Sequence, residues 1–432
     1  MLRRVRQSIG GHGPRTRGRN SGKFVASPLF PSNLAAYDAD YSNEQYFGCT
    51  LPNDNSNAQD GRFLREFVTN LVPNYAENAD GSLKTFNNNN FVRRTTRGLV
   101  VDMDRTNVII QNRDLTNAAW TKGGSPTVTK TGIDRTGAAN SCSLVTLTGA
   151  QATFTQNITL ASSSRIMSIE CKIVNGTPTG RISFDGGTTY TAINFTTPMK
   201  AGQTATTGAR LFCKTRTAAQ TVTNPVVIIE INGQSGDQVA ISFPECLNAL
   251  AGDGLTLTEY APISTTTAAV QGWRDRAAAY TTDTIPSNVA LFNRDEPSVV
   301  YFFDFWTMRP AASGEVALIA SDGSLQIRAR SVSGDFATAF GNSSVAGPIV
   351  TTDYHNPIHN KLMCGANASE SFLCLNGAPL VVGPPLTFNP AATHFDRGTN
   401  GAGALRLDGG IFREWGGRNY AAGKAAAQAF TT

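Results

Sequence analysis

The sequence predicts a mainly β protein: two consecutive β-sandwich (jelly-roll) domains, preceded by an extended basic N-terminal anchoring region. Composition is the first reason. Only 16% of the 432 residues are charged and 41 are glycine, which suits short strands joined by many turns. The second reason is a pattern that begins near residue 99. Short runs rich in β-branched residues recur there, bounded by Gly, Asn, Asp or Ser, as in two-sheet sandwiches.

The N-terminal region is set apart by its charge. Residues 1–23 carry seven cations and no acidic residue, and removing these seven from the net charge of +5 leaves −2 for the rest. This stretch has no apolar period and does not fold by itself. A disordered solubilising tail and a nucleic-acid contact both stay open, but we favour docking on a protein partner. The predicted anchoring residues are Arg3, Arg4, Arg6, Arg15, Arg17, Arg19, Lys23, Phe30, Tyr37 and Tyr41.

Residues 24–56 mix Tyr, Phe, Pro and Asn without a period, so we predict one extended arm over residues 1–56. Strand-like runs then include NVIIQN at 107–112 and VVIIE at 226–230. The continuous second run predicts a central strand that is buried on both faces. Residues 263–296 lack alternation and are predicted to be a linker. Beyond them a second β series starts at residue 297 and ends in the strongly helical NYAAGKAAAQAF.

Residues 74–123 resemble a segment of many tailed-phage minor tail, tail-fibre and head-spike proteins. Asp102 and Asn112 depart from the usual Glu and Ser of that segment. The matching positions are Tyr75, Asp80, Gly81, Leu83, Gly98, Leu99, Arg105, Thr106, Asn107 and Trp120. The resemblance implies that residues 57–123 form a phage-type connector. It also implies that the sandwich at 124–262 is similar to a carbohydrate-binding module.

Residues 297–432 resemble a concanavalin-A-like, laminin-G-like lectin domain. The resemblance is carried by a hairpin with Leu-Asn-Gly at 375–377 and by a final strand, short loop and helix. The Asn376–Gly377 pair also predicts a tight turn with positive φ. Together these resemblances imply a structural component of a tailed-phage virion: a fibre, spike or decoration appendage assembled in the host bacterial cytoplasm. Its arm would attach to capsid, neck or tail proteins, and its lectin-like domains would bind host surface polysaccharide.

Two other functions stay open, a polysaccharide-degrading tail enzyme (depolymerase) and a purely structural capsid, neck or collar decoration protein without ligand. Glycoside hydrolysis needs two carboxylates flanking one bond, whereas Glu315, Glu370 and Glu414 are isolated in the last domain. We therefore predict no catalytic residues and no cofactor. We also expect a homo-oligomer, most simply a trimer, with no membrane partner and no nucleic acid.

Metal sites and disulfides are not predicted either. The seven cysteines are widely spaced without a C-x-x-C pair, and Pro357 interrupts the helical face that His355 and His359 would need. We interpret the cysteines as buried thiols, with Cys364 and Cys374 as the one pair that a hairpin could bring together. The remaining candidates bind sugars, since exposed aromatic rings stack on pyranoses. They are Tyr190 and Tyr354, while Trp306 and Trp415 are predicted to lie in the core.

Overall fold

A computed structural model describes most of the two β series. The described residues are 37–40, 42, 45–47, 64–66, 74–86, 94–101, 106–197, 212–249, 262–271, 276–279, 299–307, 316–321, 326–332, 335–341, 349–352, 360–385, 395–397, 409–417 and 419–432. Within them the strands pair antiparallel in several sheets and one helix lies at the C-terminus. The prediction of a mainly β protein with sandwich architecture is confirmed.

Seven short strands precede the first sandwich. They are β1 (Tyr37–Asp40), β2 (Gln45–Phe47), β3 (Leu64–Glu66), β4 (Asn74–Glu77), β5 (Leu83–Phe86), β6 (Arg94–Thr95) and β7 (Gly98–Val101). Strands β4 and β5 form a hairpin of their own, whereas β1 and β7 both pair with the last strand of the chain.

The first sandwich contains the next thirteen strands. They are β8 (Thr106–Asn107), β9 (Thr121–Gly123), β10 (Thr127–Gly132), β11 (Cys142–Thr146), β12 (Gln151–Asn157), β13 (Ser163–Asn175), β14 (Thr179–Ser183), β15 (Thr191–Ala192), β16 (Cys213–Arg216), β17 (Gln220–Val222), β18 (Val226–Asn232), β19 (Gln238–Asn248) and β20 (Val270–Gln271). An eight-stranded sheet, β10-β11-β19-β13-β16 with β8, β17 and β20 attached, faces a five-stranded sheet of order β15-β14-β18-β12-β9.

Alternating apolar side chains fill the space between these two sheets. Phe154, Ile169, Ile229 and Ile241 are all fully buried there. Strand β18 is central in its sheet, as VVIIE predicts, but Ile228 on its other side is only partly buried. The prediction that both faces of this strand are buried is therefore wrong. Its outer face stays open because nothing in the described part of the chain covers the five-stranded sheet there.

The second sandwich follows the same plan. Its elements are β21 (Arg276–Ala279), which pairs with β3, β22 (Val299–Thr307), β23 (Val316–Ser321), β24 (Gln326–Val332), β25 (Asp335–Gly341), β26 (Ile349–Thr352), β27 (Asn360–Ala366), β28 (Ser371–Leu375), β29 (Val381–Gly383), β30 (Phe395–Arg397), β31 (Gly409–Gly417) and α1 (Tyr420–Thr431). One sheet has the order β2-β1-β31-β22-β27-β28-β29, with β6 and β7 attached, and the other the order β26-β25-β24-β23-β30.

The C-terminal helix forms where the Ala-rich sequence predicts it. The Asn419 side chain caps α1 by accepting a hydrogen bond from the Ala422 amide at 3.1 Å. The helix packs on the first of these sheets through Tyr420, whose ring lies 5.3 Å from that of Phe372. The predicted tight turn is confirmed as well, because Asn376 and Gly377 both have positive φ.

The hairpin β4–β5 covers the outer face of the eight-stranded sheet through buried ion pairs. Arg135 binds Glu170 of β13 with two bonds, Nε–Oε2 at 2.9 Å and Nη2–Oε1 at 2.6 Å. Its third nitrogen, Nη1, donates to Glu77 of β4 and to the carbonyl of Gly81, both at 2.8 Å. Nearby, Lys214 lies 3.8 Å from Glu245. These charges are removed from water, so each needs its partner.

The same hairpin is linked to the second sandwich through Arg97. Its Nη1 donates to Glu77 at 3.2 Å, and its guanidinium lies 3.8 Å from the centre of the Trp306 ring. The Trp306 indole N–H in turn donates to the Arg97 carbonyl at 3.0 Å. Glu77 therefore binds Arg135 of the first sandwich and also Arg97, which contacts Trp306 of the second, so residues 74–86 and 94–101 link the two.

Two stretches differ from their predictions. The expected strand over NVIIQN is wrong beyond Asn107, because the following residues leave the ladder and Gln111 has a φ of +52°. The Asn112 amide instead binds the chain at 263–265, donating to the Ile263 carbonyl at 2.8 Å and accepting from the Thr265 amide at 2.9 Å. Part of the predicted linker thus hydrogen-bonds to the first sandwich.

The described cysteines are free and buried, in agreement with the buried-thiol interpretation. Cys364 and Cys374 do not oppose each other, because Cys374 pairs with Met363 and Cys364 with Leu373. Neighbouring residues of a strand point to opposite faces, so the register separates the two thiols. Burial raises the pKa of the Cys246 thiol to about 12, which keeps it protonated and unreactive at neutral pH.

Candidate functional site

The sequence-predicted residues fall into three groups. Trp306 and Trp415 are buried, as expected, and Tyr190 is exposed. Tyr37 lies on β1, where its backbone pairs with Gly416 of the same chain. The other candidates lie outside the described residues: Tyr354, Arg3, Arg4, Arg6, Arg15, Arg17, Arg19, Lys23, Phe30 and Tyr41.

Tyr190 borders an open pocket of about 510 Å3 on the outer face of the five-stranded sheet. It precedes β15, at the edge of that sheet, and 37% of its surface is exposed. The pocket is lined by Thr179, Gly180, Arg181, Tyr190, Ala192, Glu230 and Asn232. Apart from Tyr190, which precedes β15, they come from β14, β15 and β18, so three neighbouring strands and one loop build the site.

The register of these strands explains why polar groups meet there. Ile182 and Ile229 face the core, so the residues beside them, Arg181 and Glu230, point outward. Arg181 is the direct cross-strand partner of Glu230. Thr153 of β12 lies opposite Glu230 on its other side, which extends the polar row across the sheet.

A second row runs parallel to the first. Asn232 lies between Thr179 of β14 and Gln151 of β12. Its Nδ2 also donates to Glu230 Oε1 at 2.9 Å, which connects the two rows. Hydroxyl and amide groups therefore surround a single charged pair.

Arg181 holds the pocket together. Its Nε and Nη2 donate to the two carboxylate oxygens of Glu230 at 2.8 and 3.0 Å. Its guanidinium carbon lies 3.9 Å from the centre of the Tyr190 ring, within the range of a cation–π contact. One ring face of Tyr190 is therefore taken by Arg181. Burial alone would raise the pKa of Glu230, but hydrogen bonds from Arg181 and Asn232 outweigh it and lower this pKa.

The loop before Tyr190 is fixed from within. The Asp185 carboxylate accepts hydrogen bonds from the Ser183 hydroxyl at 2.7 Å and from the Thr189 amide and hydroxyl. Burial would raise the pKa of Asp185, and these bonds lower it instead. Gly187, with a φ of +87°, lies under the tyrosine, where a Cβ would come within 2.8 Å of the Tyr190 hydroxyl oxygen. A larger residue there would displace the ring.

The side chains of the pocket are suited to binding a ligand. An aromatic ring, hydroxyls, amides and a carboxylate offer stacking together with donors and acceptors to a polyhydroxylated ligand. Sequence reasoning finds Tyr190 but misses Arg181 and Glu230, which lie 49 residues apart. Only the β14–β18 register brings them together.

Other site classes find no support in the described part of the chain. It contains no group of three or more His, Cys, Asp or Glu side chains that could hold a metal ion. Within the same residues, no helix has the length and apolar character to span a membrane. Of the three carboxylates considered for hydrolysis, Glu370 pairs with Lys424 of α1, Glu414 is buried on β31, and Glu315 lies outside the described residues.

Comparison with known proteins gives distant structural likenesses. No family model matches the sequence, and no curated protein matches it. Among solved structures, the CBM40 module of the Ruminococcus gnavus IT-sialidase is 12% identical with a TM-score of 0.29, covering 36% of this chain and 93% of the module. The same module bound to α2,3-sialyllactose gives the same values. Domains LG4-5 of the mouse laminin α1 chain are 10% identical with a TM-score of 0.20, covering 63% of this chain and 88% of that chain.

Proposed function

We propose that this protein is a non-catalytic, lectin-like glycan-binding protein and that its sugar site is the Tyr190 pocket. The observation that carries the proposal is the grouping of an exposed, immobilised aromatic ring with Arg181, Glu230 and Asn232 in one open pocket. A ring fixed before binding loses little entropy when a ligand stacks on it.

The polar rows favour a sugar over an apolar ligand. A pyranose has an apolar C–H face for the aromatic ring and hydroxyls for the surrounding amides and carboxylate. The pocket is shallow and open, which suits part of a longer glycan chain. The polar row continues from the pocket to Thr153 on β12, giving further sugar units a hydroxyl-bearing surface.

A glycan array with the intact protein tests the proposal. Tyr190→Ala should weaken binding to retained glycans by about tenfold or more, as expected for a central aromatic contact. The matched control is Val174→Ala, because Val174 is an apolar residue that is similarly exposed but lies on β13 of the other sheet. Equal losses in both variants, or no retained glycan, would overturn the proposal.

We further propose that this binding serves a tailed-phage virion, in which the protein is a fibre, spike or decoration appendage. The support is the resemblance of residues 74–123 to phage tail and spike proteins. In this proposal the arm over residues 1–56 attaches to capsid, neck or tail proteins, and the protein assembles as a homo-oligomer, most simply a trimer. Deleting residues 1–36, which spares β1, should abolish incorporation into particles while the sandwiches stay folded.

The depolymerase alternative gives a distinct outcome. Incubation with host surface polysaccharide should produce no new reducing ends, whereas turnover that a single Glu→Gln change abolishes would replace the binding function with an enzymatic one. Antibody labelling of intact particles would locate the protein on the head, neck or tail. Particles that lack the protein would overturn the virion role and leave the glycan site untouched.

A further inference from the structure

We infer that the Tyr190 pocket selects uncharged glycans and rejects acidic ones, with Glu230 as the residue that determines this specificity. The inference rests on the proposed function and adds the chemical class of its ligand. It follows from how the charges in the pocket are arranged.

The charges that line the pocket are balanced. Of its seven lining residues, Arg181 is the only cation and Glu230 the only anion. The two charges compensate each other in a bidentate pair. In the adjoining loop, Asp185 adds a negative charge, held by Ser183 and Thr189. An anion entering the pocket therefore meets no net positive charge.

The Arg181 guanidinium is already partly used by its neighbour. Arg181 uses Nε and one hydrogen of Nη2 for Glu230, so one of the two guanidinium edges that match a carboxylate is occupied. The edge formed by Nη1 and the second hydrogen of Nη2 is left for a ligand. A carboxylate bound there would share one guanidinium with Glu230 and would be repelled by it.

Displacing Glu230 is no easier for an acidic sugar. Only 7% of the Glu230 side chain is exposed, against 46% of the Arg181 side chain. Swinging Arg181 toward a ligand would leave the Glu230 carboxylate largely buried without its main partner, which is costly. It would also remove the cation from the Tyr190 ring.

A neutral sugar meets none of these obstacles. Its hydroxyls can donate to the Glu230 carboxylate in charge-assisted bonds while the pair with Arg181 persists. Thr179 and Asn232 provide neutral groups on the same face. The ion pair then acts as a fixed acceptor for hydroxyl groups.

The experiment is a panel of matched glycans, each neutral oligosaccharide printed beside its sialylated or uronic-acid derivative. Wild-type protein should retain neutral members and bind acidic counterparts at least about tenfold more weakly. Glu230→Gln removes the competing charge and nearly preserves the shape of the side chain. This variant should reduce or reverse the preference for neutral over acidic glycans. The control is Glu370→Gln, an identical charge change at an ion pair of the second sandwich, which should leave the ratio unchanged.

A second readout needs no variant. Binding of a neutral glycan should hardly change between low and high salt, whereas a carboxylate bound by Arg181 would be weakened by screening. Acidic glycans retained as well as neutral ones by the wild type would overturn the inference but not the proposed function. An unchanged ratio in a folded Glu230→Gln variant would also overturn it. No retention of any glycan would overturn both.

Discussion

The two sheets of the first sandwich carry the same Arg–Glu pairing in opposite surroundings. On the eight-stranded sheet, Arg135 binds Glu170 through two bonds, and 3% and 1% of their side chains are exposed. On the five-stranded sheet, Arg181 binds Glu230 in the same bidentate way, with 46% and 7% exposed. The bond lengths are nearly equal, so the pairs differ in what covers them.

The cover is the hairpin β4–β5. It brings Glu77 onto Arg135 and seals the pair from water, whereas no described segment covers the outer face of the other sheet. A buried pair is needed for the stability of the fold, because removing one partner leaves the other charge without compensation. A pair whose arginine is half exposed contributes less to stability than a fully buried pair, and its guanidinium stays available to a ligand. One face of the sandwich is thus used for assembly and the other for recognition.

The largest expected effect is at the buried pair. Arg135→Ala leaves Glu170 and Glu77 without their shared cation, so we expect the free energy of unfolding to fall by about 3–5 kcal/mol. Urea denaturation followed by fluorescence would measure it. A loss below about 1 kcal/mol would mean that the hairpin does not seal this site.

The pKa values of carboxyl groups on the two faces should also shift in opposite directions. Burial raises the pKa of Glu245 on the covered face above 4.5, while the pKa of Glu230 on the open face is lowered. The Glu230 contribution to stability is therefore present above its unfolded pKa and is lost as pH falls through its folded pKa. The Glu245 contribution is present below its unfolded pKa and is lost as pH rises through its folded pKa.

Carboxyl-carbon NMR would follow the two groups separately. On acidification Glu245 should take up its proton first and Glu230 last. The reverse order would contradict the assignment of one covered and one open face. Sugar binding should stay constant from about pH 8 down to about pH 5, because Glu230 remains ionised over that interval.

The smallest effect on stability is expected for Arg181→Ala. The free energy of unfolding should fall by less than in Arg135→Ala, because 46% of the Arg181 side chain is exposed and Glu230 keeps the hydrogen bond from Asn232. Glycan binding should nevertheless weaken, since Tyr190 loses the cation that fixes its ring. A midpoint shift as large as that of Arg135→Ala would abolish the distinction between the two faces.

Features that depend on residues close in sequence are predictable from the sequence, whereas features that depend on distant residues are not. Helix α1, the Asn376–Gly377 turn and the central position of β18 depend on neighbouring residues, and all three are predictable. Tyr190 is recognisable as an aromatic near a Gly-Gly turn, but nothing local marks it as exposed. Arg181–Glu230 and Arg135–Glu77 join residues 49 and 58 positions apart. The first pairing depends on the β14–β18 register, and the second on how the hairpin β4–β5 docks on the first sandwich.

The unexpected behaviour of NVIIQN has the same origin. Its residues have strong β propensity, yet Asn112 finds its hydrogen-bond partners in a segment more than 150 residues later. A tertiary contact thus replaces the strand that local propensity predicts. No periodicity in the sequence signals such a contact.

The most direct test of the central claim is to map a bound glycan on the intact protein. A neutral oligosaccharide retained by the array would be titrated into the isotopically labelled chain and followed by amide chemical shifts. We expect the perturbed amides to cluster at residues 179–192 and 230–232, and Tyr190→Ala to abolish these perturbations. Perturbations confined to the second sandwich, for example at residues 360–385, would contradict the central claim.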